Sequence, residues 1–468
     1  MASIVFRTAI LILSGNATAS LLLLVRNLVV ARLIPVGDYG IAATFGVVMA
    51  MVEMASAFGL QQQIIQSKDG DDPRFQAGLQ GFQVLRGIGA GAVLFLIAGP
   101  MARFLGIPEV IWAYQILALV PVIKAFEHFD IHRLNRQMRF WPLMLTGGVP
   151  ALLSLLLIWP LATWLGDWRV MLCAILAQIS IMVLTSHVVA ERPYKIVFDR
   201  AIMGNSLRFG WPILVNSVLL FLVFQGDKLI VGRVLGMEAL AIFAMGMTLT
   251  LTPTLVIAKS VQNFFLPILS NLDRGTVKGK ARFQHMALVA TETHMLFGAS
   301  FVFFIIIFGD TIVNLLLSEK FDSLVAIFTL LAVLQCFRIM KGGPSSVALA
   351  SGRTENAMIA NTTRVLLLPI GYFVAIRTES VAQVISVAII GEIIGFLVSI
   401  LLVWWRCRVN FRTIFFPTLG ILLMCMVAVY REHITTPAIF FGLILTLFLF
   451  SAIMMKGLRL YLFRKRER

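Results

Sequence analysis

Arg26-Asn27-Leu28-Val29-Val30-Ala31-Arg32 returns, without a gap, 201 residues later as Asp227-Lys228-Leu229-Ile230-Val231-Gly232-Arg233. Leu28/Leu229, Val30/Val231, Arg32/Arg233 and, further on, Ile41/Ile242 are identical, and Asn16/Ser217 and Asn27/Lys228 are polar in both copies. The first copy sits in an apolar run that closes on Ile34-Pro35-Val36-Gly37-Asp38-Tyr39-Gly40. An arginine at the centre of a membrane helix costs roughly 2.5–3.5 kcal/mol, less toward an end, so it persists only where it faces protein, water or an anionic ligand. The chain therefore reads as two copies of one membrane unit, each opening on a helix with polar residues buried in it.

Composition agrees. With 59% hydrophobic and 13% charged residues over 468 positions, the chain is not a soluble globule. Apolar runs long enough to cross a bilayer recur along its whole length and predict an all-α polytopic protein of about 14 spanning helices, the first over 8–34. That first run is too long for a signal-peptide core and lacks a small-residue cleavage site, so it is expected to stay as a helix. No polar interval approaches the ~100 residues of a typical domain, which excludes a separate catalytic domain. Cys173, Cys336, Cys407 and Cys425 form no Cys-x-x-Cys pair, and neither a disulfide scaffold nor a zinc site is expected.

The net charge of +16 is partly topology. With the N-terminus inside, 25 of the 39 Lys and Arg fall in cytoplasmic segments and seven in outer ones. That alternation predicts both termini in the cytoplasm. The rest lie within helices: Arg26, Arg86, Lys124, Lys228, Lys259, Arg338 and Lys341. Arg86 and Lys341 are read as close enough to a helix end to snorkel, whereas Arg26, Lys124, Lys228 and Lys259 read as deeper. The repeat predicts a first six-helix lobe over 1–195 and a second over 205–405, with two additional helices and a basic tail over 406–468. Six helices per lobe make the repeats parallel, which implies a substrate site at the lobe interface near mid-membrane.

On the lobe-opening helices, Asn16, Ser20 and Asn27 share one stripe, and Ser217 and Lys228 repeat it, while Asn216 and Asp227 repeat the face of Gly15 and Arg26. Arg26 and Asp227 are pseudo-equivalent. They form a cross-lobe pair, or Arg26 binds ligand while Asp227 tempers its field, or each pairs within its own lobe. Glu53, Glu292 and Glu392 are further carboxylates in helices, and Glu292 and Glu392 have no charged neighbour at i±3 or i±4. They are candidates for charge pairing or ion coupling. His128 and His132 are spaced to hold a metal, but no glutamate base stands between them and no metal site is expected. The Arg464-Lys465-Arg466 tail suits anionic phospholipid, and no nucleic acid partner is expected.

Around Arg26 to Gly40 the sequence resembles the polysaccharide transporter branch of the multidrug/oligosaccharidyl-lipid/polysaccharide flippase superfamily. Phe58-Gly59-Leu60-Gln61-Gln62-Gln63-Ile64-Ile65-Gln66, Asn135-Arg136-Gln137-Met138-Arg139-Phe140 and Phe264-Phe265-Leu266-Pro267-Ile268-Leu269-Ser270-Asn271-Leu272 are similar to that family's second-helix end, loop between helices four and five, and eighth-helix end. Ser351-Gly352-Arg353-Thr354 is a looser likeness after helix ten. The resemblance implies a bacterial inner-membrane flippase, not an enzyme. Its cargo would be undecaprenyl-pyrophosphate-linked oligosaccharide for exopolysaccharide, O-antigen or capsule assembly, moved outward by alternating access of two lobes. The related lipid II flippase has a functionally important arginine in its first helix, and Arg26 stands in a similar Arg-x-x-x-x-Ala-Arg context.

A pyrophosphate crossing hydrocarbon needs cations at mid-depth, and Arg26, Lys228, Lys259 and Lys124 are the expected ligands. Asn16, Ser20, Asn27, Asn216 and Ser217 are expected to line the polar cavity for the sugar. No cofactor is expected; a proton or sodium gradient or the membrane potential would drive the cycle, and a polysaccharide polymerase and export machinery are the expected partners. Two rivals are weighed. A cation-coupled multidrug extruder of the same superfamily favours an acidic cavity, against the basic excess here. A membrane glycosyltransferase or polymerase needs a long catalytic loop, and none exists.

Overall fold

Apolar runs that cannot meet backbone hydrogen bonds from lipid must close them internally, and every regular element among the described residues is a helix. The structure, a computed structural model, describes residues 2–55, 58–431, 434 and 436–466, with side chains over 18–54, 58–211, 213–431, 434 and 436–461. Thirteen helical segments among them are long and apolar enough to cross a membrane, and each overlaps an expected span. The expected span over 8–34 corresponds to α1 (Ala2–Leu33), and the side chains of residues 2–17 lie outside the described residues. The chain divides into two compact units, Met1–Ala241 and Ile242–Arg468.

In the first unit α1 is followed by α2 (Val36–Ala55), α3 (Leu60–Gln66), α4 (Pro73–Phe104), α5 (Ile111–Leu117), α6 (Leu119–Ala125), α7 (Asp130–Arg136), α8 (Trp141–Leu165), α9 (Arg169–Val188) and α10 (Arg200–Val234). α8 packs between α1 and α9, α6 lies on α4, and α10 lies on α2. The starts follow local chemistry. Asp72 caps α4, its carboxylate accepting from Arg74 N–H at 3.1 Å and Phe75 N–H at 3.3 Å, with Pro73 in the first turn where no N–H is needed. Asp199 caps α10 in the same way, accepting from Ala201 N–H at 2.9 Å.

Two expected spans are not single helices. The one over 110–130 is interrupted at Ala118, between α5 and α6, because Pro121 has no N–H for the Leu117 carbonyl and its ring crowds that group. It also ends at Ala125, so the Glu127–His132 cluster lies beyond the spanning segment. The span over 41–65 is not helical at Phe58 and Gly59, and α3 starts after Gly59, whose φ of 64° suits a residue without Cβ.

The second unit holds α11 (Gly236–Ser270), which begins in the first, then α12 (Val277–Leu316), α13 (Ser323–Ala350), α14 (Glu355–Leu366), α15 (Leu368–Thr378), α16 (Val381–Cys407), α17 (Phe415–Val429), α18 (Pro437–Met454) and α19 (Lys456–Arg466). Its core is α13, wedged between α12 and α16. Pro369 repeats the Pro121 effect, breaking the expected span over 357–376 between α14 and α15 at Leu367. Pro150, Pro160, Pro253 and Pro344 stay inside continuous helices.

A candidate substrate cleft in the first unit

Gly87 and Gly91 stand one turn apart on α4, facing α6. A Cβ at Gly87 would lie 2.3 Å from Ala125 Cβ and one at Gly91 2.5 Å from Val122 Cγ2, so only glycine lets the two helices approach this closely. The crossing sets Gln83 and Arg86 of α4 beside Lys124 of α6. With Glu53 of α2, Gln61 and Gln62 of α3, and Ser217 of α10, they line a half-open cleft of about 270 Å³. Leucine at Gly87 is expected to separate α4 from α6, costing about 1–3 kcal/mol by overpacking. Unfolding of the purified chain in detergent would read this as a lower midpoint.

The cleft is charged and amide-rich. Lys124 Nζ lies 2.5 Å from Glu53 Oε1, with both side chains partly exposed. Arg86, on the same wall, interacts electrostatically with Glu53 and with Glu127. Three glutamines and a serine add carbonyl, amide and hydroxyl groups suited to sugar hydroxyls. Because the Glu53–Lys124 pair is open to solvent, Glu53→Gln is expected to change stability by less than about 1 kcal/mol. It also removes a carboxylate that lines the cleft, so an anionic headgroup should bind more tightly, which a binding titration would detect.

Arg26 lies elsewhere in the same unit. It is 8% exposed, and its Nη1 donates to the Gln178 side-chain carbonyl on α9. Tyr39, also buried, is close enough to interact electrostatically. Arg26 Nε has no hydrogen-bond partner. The Arg26–Asp227 pair weighed from the repeat is not among these contacts, although both residues belong to this unit. Arg26 is held by Gln178, while Asp227 is buried and Lys228 half-buried, and neither is without an interaction.

The remaining candidates are dispersed. Asn27 is half-buried, Ser20 and Asn216 are exposed, and the side chain of Asn16 lies outside the described residues. Lys259 is exposed on α11 with no ion-pair partner among the described residues.

Glu392 and Glu292, without charged neighbours on their own helices, find partners far away in sequence. Glu392 on α16 is fully buried, its Oε1 accepting from Arg338 Nε and its Oε2 from Lys341 Nζ, both at 2.8 Å and both on α13. Lys341 also reaches Asn361 at 3.0 Å, so it ends in a buried ion triad and does not snorkel. Glu292, also fully buried, accepts from the backbone N–H groups of Gly457 at 3.3 Å and Leu458 at 2.6 Å. These are free donors at the start of α19, where a carboxylate also complements the helix dipole. Glu292→Ala is therefore expected to undock α19, seen as faster amide exchange over 456–466 with the α12–α13 core unchanged.

Arg86 was the residue the sequence reading missed. Its position in the apolar run gave its distance from a helix end but not the cleft that α6 opens beside it. Gln83, three residues before it on the same face, was the available signal.

The chain is similar to known proteins in sequence and in fold. It is 24% identical over 379 residues to the teichuronic acid biosynthesis protein TuaB of Bacillus subtilis, covering 79% of this chain and 75% of that one. Its fold is similar to that of the lipid II flippase MurJ in an inward closed conformation (TM-score 0.71, 16% identity, 98% of this chain and 100% of that one). It is also similar to an inward-facing multidrug resistance transporter of the MATE family in the MOP superfamily (TM-score 0.67, 18% identity, 83% and 94%). The profile described as polysaccharide biosynthesis protein matches residues 29–326. Over that span, well above half its length, the chain belongs to the polysaccharide biosynthesis protein family.

Proposed function

We propose that this multi-pass membrane protein is a flippase for lipid-linked oligosaccharide. It would carry an undecaprenyl-pyrophosphate glycan from the inner to the outer leaflet of a bacterial inner membrane, with both of its termini in the cytoplasm. Its family and the fold it shares with a lipid II flippase support the reaction class. The observation that supports the cargo's charge is the cleft between α2, α4 and α6, where Arg86 and Lys124 stand with Glu53 among amides and a hydroxyl. A pyrophosphate needs compensating cations to enter such a site, and glycan hydroxyls suit Gln61, Gln62, Gln83 and Ser217. Arg26, with Nε free of a hydrogen-bond partner, is a second receptor for phosphate oxygen. No covalent bond is made or broken. Two lobes, 1–195 and 205–405, would rock about the cargo, driven by a proton or sodium gradient or the membrane potential. Polymerase and export machinery would take up the product.

The multidrug reading rests on the MATE-like fold and on Glu53 as a counter-ion for an organic cation. The charge balance of the cleft opposes it. Both readings are separated by one experiment in liposomes. Arg86→Gln combined with Lys124→Gln is expected to slow movement of a fluorescent lipid-pyrophosphate oligosaccharide about tenfold or more. If the variant instead leaves that rate alone and alters uptake of a cationic dye, the extruder reading replaces this one.

A further inference from the structure

The connector after α9 crosses the beginning of α4 and closes a second half-open cleft, of about 250 Å³, lined among others by Gln76, Gln80, His128, Arg192 and Lys195. It shares no lining residue with the substrate cleft. His128 is 2% exposed. Its Nδ1 accepts the Asp130 N–H at 3.1 Å, and a ring nitrogen that accepts carries no proton, so the neutral imidazole holds its hydrogen on Nε2. Burial, opposed by Asp130, pushes the ring's pKa down and favours that neutral form, and the Arg192 carbonyl near the ring favours its proton. Yet Nε2 makes no hydrogen bond. A buried donor left unsatisfied costs about 1–3 kcal/mol, and His128 is part of the cleft wall.

The neighbouring charges on the cleft wall, Arg192 and Lys195, are positive and lack counter-ions among the described residues. Arg192 is held in place by neutral acceptors, Nη1 on Gln76 Oε1 at 3.1 Å and Nη2 on the Asp71 carbonyl at 2.8 Å. Lys195 is exposed and has no ion-pair partner among the described residues. The nearby carboxylates are engaged elsewhere. Asp130 is bound by Arg133 at 2.5 Å and by the backbone N–H groups of Glu191 and Arg192. Asp71 is bound by Arg136 at 3.2 Å and Gln137 at 2.9 Å. The Gln80 amide already donates to the Glu127 carbonyl and Tyr194 hydroxyl and accepts from Phe129 N–H. The cleft is thus lined by a buried imidazole whose Nε2 makes no hydrogen bond, a pinned guanidinium and an exposed ammonium.

We propose that this cleft binds a phosphate-type oxyanion, held by His128 Nε2–H, Arg192 and Lys195, as a site separate from the translocated cargo. The cleft adjoins the first turns of a membrane-crossing helix, where the phosphate of an anionic phospholipid headgroup and a free phosphate ester present the same chemistry.

Native mass spectrometry of the purified full chain, titrated with phosphatidylglycerol or with phosphatidylcholine, tests the lipid source; thermal unfolding in inorganic phosphate tests the free one. The wild type is compared with Lys195→Gln and with Arg192→Gln/Lys195→Gln. Phosphatidylglycerol is expected to bind in preference to phosphatidylcholine, with affinity about tenfold weaker in the double variant and about threefold weaker in Lys195→Gln. Stabilisation of the wild type by inorganic phosphate, lost in the double variant, would assign the site to a free phosphate ester. Should the double variant fail to fold, Lys195→Gln at an exposed position carries the comparison. Equal binding of both probes by wild type and variants, or binding of neither, overturns the proposal.

Discussion

Arg26→Ala is expected to reduce flipping of a lipid-pyrophosphate oligosaccharide by about a hundredfold or more while the protein stays folded. The magnitude follows from what the guanidinium can give a phosphate: each charge-assisted hydrogen bond is worth about 1.5–3 kcal/mol, two act together in a fork, and 1.4 kcal/mol is about a tenfold change. Burial makes the residue costly to keep, so its removal should not lower the unfolding midpoint beyond the packing of its stem. Arg26→Lys retains a charge without the fork and should give an intermediate rate. Gln178→Ala frees the Nη1 group that Gln178 now holds and should cost less, about three- to tenfold, because it disturbs aim and not charge. Flipping in liposomes with a quenchable fluorescent substrate reads all three. An alanine variant as fast as wild type would make Arg26 a structural residue held by Gln178 and nothing more.

How far the sequence could lead depends on whether a partner lies within one helix. The membrane class and most spans follow from runs of apolar residues, a local property. The burial of Arg26 follows from its cost in an apolar run, and the structure agrees. The breaks at Ala118 and Leu367 were written in Pro121 and Pro369, but the same residue type at Pro150 and Pro253 leaves helices continuous. Whether a proline ends a helix depends on what neighbours supply to the stranded carbonyl, which is tertiary. The partners of Glu292 stand 165 and 166 residues away and those of Glu392 at 51 and 54, beyond any i±3 or i±4 rule. The cleft was hidden for the same reason: Arg86 and Lys124 sit on two helices whose approach is set by Gly87 and Gly91, with Glu53 on a third, and a glycine pair does not name the helix it admits.

The Arg338–Lys341–Glu392 triad gives the largest effect expected on stability. Its side chains are 7%, 12% and 0% exposed, so removing the carboxylate alone strands two buried cations. Glu392→Ala is expected to cost about 3–5 kcal/mol, read as a fall in the denaturant midpoint of the second unit. Exchanging all three charges for apolar side chains of similar size, Arg338→Met, Lys341→Met and Glu392→Leu together, should recover most of that loss, because desolvation of three ions offsets much of their mutual attraction. Asn361 would lose its bond to Lys341 in that variant, and about 1 kcal/mol of deficit is expected to remain. The comparison also separates structure from ion coupling. Each Glu392 oxygen accepts from a side-chain cation at 2.8 Å, so an exchanging sodium or proton would have to compete with two fixed positive charges. If the triad only holds α13 to α16, the triple variant should flip cargo at near the wild-type rate and respond to an imposed gradient as before. A triple variant that folds with normal stability but no longer responds to a proton or sodium gradient would show that Glu392 carries the coupled ion, with Arg338 and Lys341 as the groups that compete for it.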